Sequence, residues 1–180
     1  MYKRQHIIRG LHAVSSGAYT GLFKKTSTNC TIKNLTIEDA VIKNTSTSSD
    51  CEAGILMGYA GDSITVENCY VSGEIVGKNA VRYAGGLIGD IHSSGSVSIR
   101  SCYANPQIIG ITSNGFAGGL VGWTGGTTTI ENSYAVVDMD VDRGYDIGGL
   151  VGCGSDSKVT ISHSYAAGEA LTKSSTGAAV

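Results

Sequence analysis

Ala84-Gly85-Gly86-Leu87-Ile88-Gly89 recurs as Ala117-Gly118-Gly119-Leu120-Val121-Gly122 and again as Ile147-Gly148-Gly149-Leu150-Val151-Gly152. Two looser copies precede these, Tyr19-Thr20-Gly21-Leu22-Phe23 and Ala53-Gly54-Ile55-Leu56-Met57-Gly58, so that five starts follow one another about every 30 to 35 residues. Self-similarity at such a period signals stacked supersecondary units rather than a globule.

A polar turn and a second motif follow each box, as in Ile64-Thr65-Val66-Glu67-Asn68-Cys69-Tyr70-Val71 and Thr128-Thr129-Ile130-Glu131-Asn132-Ser133-Tyr134-Ala135. A weaker third stretch comes next: Glu74-Ile75-Val76, Ile108-Ile109, Val137 to Val141, and Ala170-Leu171. None shows the 3.6-residue period of a helix, and none is long enough to bury a face alone. Parallel pairing of each strand with its equivalent one coil away, about 4.8 Å distant, solves that problem. The expected fold is an all-β, right-handed parallel β-helix of about five coils with three short strands per coil. The coils span 18–52, 53–83, 84–116, 117–146 and 147–178, after the remnant of an N-terminal coil over 6–17. Met1-Tyr2-Lys3-Arg4-Gln5 reads as the translation of a transposase adapter end used in sequencing libraries and is set aside. The tail from Ser174 stops where another box is due, so the array is expected to be cut at both ends.

In the second motif Ile32, Val66, Ile99, Ile130 and Ile161 form an inward column, while Lys33, Glu67, Arg100, Glu131 and Ser162 face solvent. Asn34, Asn68, Ser101, Asn132 and His163 come next, and Asn tolerates the left-handed backbone of a tight bend. A bend there reverses the alternation, turning Leu35, Cys69, Cys102, Ser133 and Ser164 inward. Tyr70, Tyr103, Tyr134 and Tyr165 then form an outward ladder; without the reversal they would be core. The box glycines serve close coil packing or a tight bend, and with Leu87, Leu120 and Leu150 they are structural positions.

The chain has 26 Gly, one Trp, two Phe and nine Tyr, so its core draws on small and aliphatic residues. Thirteen basic and fifteen acidic residues give a net charge of −2 without blocks of either sign, which supplies no footprint for nucleic acid. Apolar runs are too short for a membrane span. Cys30, Cys51, Cys69, Cys102 and Cys153 cannot all pair, and their spacing matches no zinc knuckle, so they read as buried free thiols.

The boxes together with Asn132-Ser133-Tyr134-Ala135 resemble the GLUG-motif repeats of bacterial secreted and surface proteins, including regions upstream of the catalytic domain in IgA-specific metallopeptidase-like proteins. His6 to Leu11 resembles the opening coil of such arrays, so nearly the whole chain is covered. The first coil departs at Thr36 and the fifth at His163. The resemblance implies an extracellular or cell-surface location, further repeats and domains in the same chain, and a spacer or adhesive role, or else a substrate-orienting region of a secreted metallopeptidase.

His6, His12, His92 and His163 provide no His-Glu-x-x-His. The boxes lack the Lys-Ser/Thr and the helix of a phosphate loop. Asp138, Asp140 and Asp142 alternate onto one outer side, as a weak cation site or the acids of a polysaccharide-active solenoid would require; a solvated strand offset by Arg143 is the plainer reading. No cofactor is expected. The tyrosine ladder is the candidate binding strip, with carbohydrate or a host surface protein as partner.

Overall fold

The computed structural model describes residues 6–172 except 49, 78–79, 93, 112–113, 142–143 and 155–157. The chain is an all-β parallel solenoid of about five turns whose strands line up in three sheets along the stack. The leading sheet holds the strands that run into each box: Tyr19–Thr20, Cys51–Gly54, Val81–Gly85, Gly115–Gly118 and Gly144–Gly148. The trailing sheet leaves the box. It is continuous in Phe23–Lys33 and Met57–Glu67, then split as Ile88–Ile91 with Ser96–Arg100, Val121–Thr124 with Thr127–Glu131, and Val151–Gly154 with Val159–Ser162. The tyrosine sheet carries Leu35–Asn44, Tyr70–Val76, Tyr103–Ile109, Tyr134–Val141 and Tyr165–Thr172, and both His6–Arg9 and His12–Ser15 pair with Leu35–Asn44.

Three faces per coil agree with the sequence, but their makeup differs. The box is a corner rather than a strand, and the residues before it form a sheet of their own. The third stretch is no separate strand, because Glu74-Ile75-Val76 continues the strand begun at Tyr70. Alternation runs unbroken from Tyr103 through Ile109, so nothing divides the two parts.

The bend after the trailing sheet falls where expected. Asn34, Asn68, Ser101, Asn132 and His163 all have φ between 48° and 57°, and Asn68 Nδ2 donates to Asn34 Oδ1 at 2.7 Å along the column. Past the bend, Ser133 Oγ accepts from the Cys102 amide at 3.0 Å and Ser164 Oγ from the Ser133 amide at 3.1 Å. Small polar side chains thus satisfy corner amides in the coil below, as buried backbone groups require. Cys69, Cys102 and Ser133 are buried there, and all five cysteines are free, Cys30 and Cys153 being half-buried.

Within the triangle, Ile37, Val66, Leu87, Ile99, Ile108, Leu120 and Ile130 make a continuous aliphatic core. The inward column fails only at Ile161, which is 45 % exposed because no coil among the described residues covers it.

None of the box glycines has a positive φ in the left-handed range, so the bend is not their reason. Their reason is clearance. A Cβ on Gly118 would lie 2.6 Å from the Gly152 amide and overlap the Val121 carbonyl, and one on Gly122 would lie 2.6 Å from the Gly89 carbonyl. Gly119 faces the other way, and its Cβ would meet Ala135 Cβ at 2.5 Å. Gly118→Ala should therefore cost about 2–3 kcal/mol, as overpacking does, whereas Gly17→Ala, whose nearest atom is Ser15 Oγ at 3.6 Å, should be near neutral. Urea denaturation of both variants checks this; equal stabilities would refute the clearance argument.

Candidate functional site

The tyrosine ladder faces outward, in register from Tyr70 to Tyr165. Ring centroids are 4.8, 4.2 and 5.0 Å apart with interplanar angles of 24°, 20° and 8°. Because the rings stack on one another, their faces are consumed inside the ladder and mainly edges and hydroxyls remain for a partner. Tyr165 alone of the four is largely exposed, at 59 %.

Beside the ladder, Tyr70, Glu74, Asn105, Gln107 and Asp138 surround an open depression of about 600 Å³. Gly73, at φ 141°, is part of its lining; a side chain there would collide with the backbone of Ala40. Asp138 accepts from Gln107 Nε2 at 2.9 Å. Asp138 and Asp140 both lie exposed on the outer side, as alternation required, with Met139 buried between them. Asp142 lies outside the described residues, and among those described no three His, Cys, Asp or Glu side chains converge to hold a metal ion.

A second surface was not foreseen. The residues flanking the glycine corner on either side, Tyr19 and Lys25 in the first coil and Asp146 and Cys153 in the last among them, border a crease between the leading and trailing sheets. Lys25 Nζ lies 5.7 Å from the Tyr19 ring centroid in the first coil, and in the last, burial and the neighbouring Asp146 raise the Cys153 thiol. Coils also interlock, since Tyr83 stacks on Trp123 of the next coil at 5.4 Å and Tyr19 contacts Tyr59 at 5.1 Å. Glu52 sits in the column between Tyr19 and Tyr83, and Asp90 in the column between Tyr59 and Trp123.

Both acids are recessed between larger rings, Glu52 being 8 % and Asp90 6 % exposed. Glu52 Oε2 and Asp90 Oδ1 have no hydrogen-bond partner among the described residues. Arg82, the nearest guanidinium in sequence, pairs instead with Asp50 at 2.8 Å. Burial, reinforced by Asp90 and Asp50, pushes the Glu52 carboxyl from 4.5 up to about 8. Burial, then Asp50, pushes Asp90 from 3.8 up to about 7. Cys69 and Cys102 are neighbouring buried thiols: the adjacent Cys102 thiol lowers Cys69 to about 7, and Cys69 in turn raises Cys102.

The signal for the crease lay in the columns flanking the box, Glu52, Tyr83, Phe116, Asp146 before it and Tyr59, Asp90, Trp123, Cys153 after it. Attention to the glycines alone passes over them. No family model matches the chain, and no curated protein or solved structure matches it either.

Raised carboxyl pKa values set the sign of a pH dependence. The folded state holds protons that the unfolded chain releases near pH 4, so the stability these groups contribute is complete below 3.8 and is lost as pH rises through about 7 and about 8. The melting temperature should fall across that window, and Glu52→Gln with Asp90→Asn should flatten the fall. Thermal melts from about pH 4 to pH 9 decide it; an unchanged slope in the double variant would count against the recessed, unpaired carboxyls.

Proposed function

We propose that this chain is a non-catalytic repeat scaffold of a secreted or cell-surface protein, a spacer whose outer faces also make adhesive contacts with carbohydrate or host protein. The supporting observation is the tyrosine sheet, where in-register stacking sets an aromatic ladder beside a depression lined by carboxylates and amides. A stack suits a spacer because each coil adds length without a new core. The resemblance to GLUG-motif repeats points to the same role and location.

Ring stacking shifts the contact surface from the ladder to its flank. A sugar needs an open aromatic face or convergent polar groups; the ladder spends its faces internally, whereas Tyr70, Glu74, Asn105, Gln107 and Asp138 offer hydroxyl, amide and carboxylate groups around one concavity.

Glycan and host-matrix arrays probed with the whole chain should show binding that Gln107→Ala with Asp138→Ala reduces several-fold. Silence on both arrays would remove the adhesive part. The spacer part is tested separately by small-angle scattering on arrays of different coil number, where length should grow by about 4.8 Å per coil.

A further inference from the structure

The geometry points to the crease recess around Glu52 and Asp90, walled by Tyr19, Tyr59, Tyr83 and Trp123, as a binding site for an organic ammonium group. It lies on a different surface from the depression by the tyrosine ladder and does not depend on the scaffold reading.

Three observations converge. First, stacking builds a cage: each acid is flanked within its own column by two larger rings one coil away, Glu52 by Tyr19 and Tyr83, Asp90 by Tyr59 and Trp123. All four rings are half-buried; Tyr19 meets Tyr59 at 5.1 Å and Tyr83 meets Trp123 at 5.4 Å across the crease, while within each column an acid rather than a third ring separates the two rings, unlike the closed tyrosine ladder. Second, Glu52 and Asp90 are more than nine-tenths buried, and each holds an oxygen without a partner among the described residues. A buried carboxylate in that condition is costly, and the cost is relieved when a cation takes the free oxygen. Third, these rings already attract cations. Lys25 Nζ stands 4.8 Å from the Tyr59 centroid and the Arg82 guanidinium 5.1 Å from the Tyr83 centroid. Lys25 and Arg82 thus stand against these rings, yet no ion pair among the described residues reaches Glu52 or Asp90.

The walls decide the ligand class. A metal ion needs oxygen, nitrogen or sulfur donors on most sides, and among the described residues no group of three such side chains converges. Aromatic faces instead complement a diffuse, weakly hydrated charge, as in cages for alkylated ammonium ions. Two carboxyls at the floor supply the charge and the hydrogen-bond acceptors; the rings supply dispersion and quadrupole attraction. An ammonium borne by an amino sugar or by a lysine side chain presents the same chemistry to this recess.

Trp123 is the one tryptophan of the chain, so its fluorescence reports on the cage wall. Choline titrated into the whole chain at constant ionic strength should give a saturable change, and its neutral isostere 3,3-dimethylbutanol none. Glu52→Gln and Asp90→Asn should each weaken choline binding at least tenfold while thermal melts show a folded protein, and Glu169→Gln, which removes an exposed carboxylate on the far sheet, should leave binding unchanged. Should an amide variant fail to fold, calorimetry of the native chain in two buffers of different ionisation heat carries the test, since binding near neutral pH should expel protons from the recess. Glucosamine, with N-acetylglucosamine as its neutral control, and Nα-acetyl-lysine amide separate a sugar amine from a lysine; saturation by either supports the assignment. Absence of saturation by choline and both amines, an equal response to 3,3-dimethylbutanol, undiminished binding by the folded double variant, or binding without proton release overturns it.

Discussion

Backbone-to-backbone contact at the glycine corner is the constraint on which this structure depends. Gly118 and Gly122 approach carbonyls and amides of their own and neighbouring coils so closely that even a methyl group overlaps them. Two sheets can therefore fold against each other with almost nothing between them, and the crease they form is too narrow at its base for side chains. Residues immediately outside the box are the first with room to fill it. That is why Tyr83 meets Trp123, and Tyr19 meets Tyr59, across the corner, although several residues of chain separate the two sides.

The opposite corner works by conformation rather than clearance. A column with φ near 50° turns the chain and reverses side-chain parity, which costs Asn less than most residues. Reversal puts the tyrosines outside and small polar groups inside, where Ser133 and Ser164 answer the amides left free by the turn. Cys69 and Cys102 hold the same position in earlier coils, with thiols directed at the carbonyls of Glu67 and Arg100 at 3.4 and 3.2 Å. Their place is thus explained by corner geometry and burial rather than by spacing along the chain.

Stacking amplifies each of these local choices. Any residue type repeated in register becomes a column at strand spacing, so four tyrosines become a closed stack of rings whose surface chemistry differs from that of four separate tyrosines. Interruption of a column has the reverse effect. An acid placed between aromatics is shorter than its neighbours, sinks below them and loses solvent, which is the origin of the raised carboxyl pKa values at Glu52 and Asp90.

The repeat, the parallel stack and the bend at Asn34, Asn68 and Asn132 are legible in the residues alone, because period, parity and left-handed tolerance are properties of short segments. Packing between coils is what sets the outward side of Tyr70 to Tyr165, makes the box a corner, joins the third stretch to the tyrosine strand, closes the ladder on itself, and buries Glu52 and Asp90 with an oxygen each unpartnered among the described residues. Each of these depends on the angle between sheets and on neighbours one coil away. A residue's burial is set by those non-local neighbours, and the flanks of a glycine box carry no local sign of what the next coil will place over them.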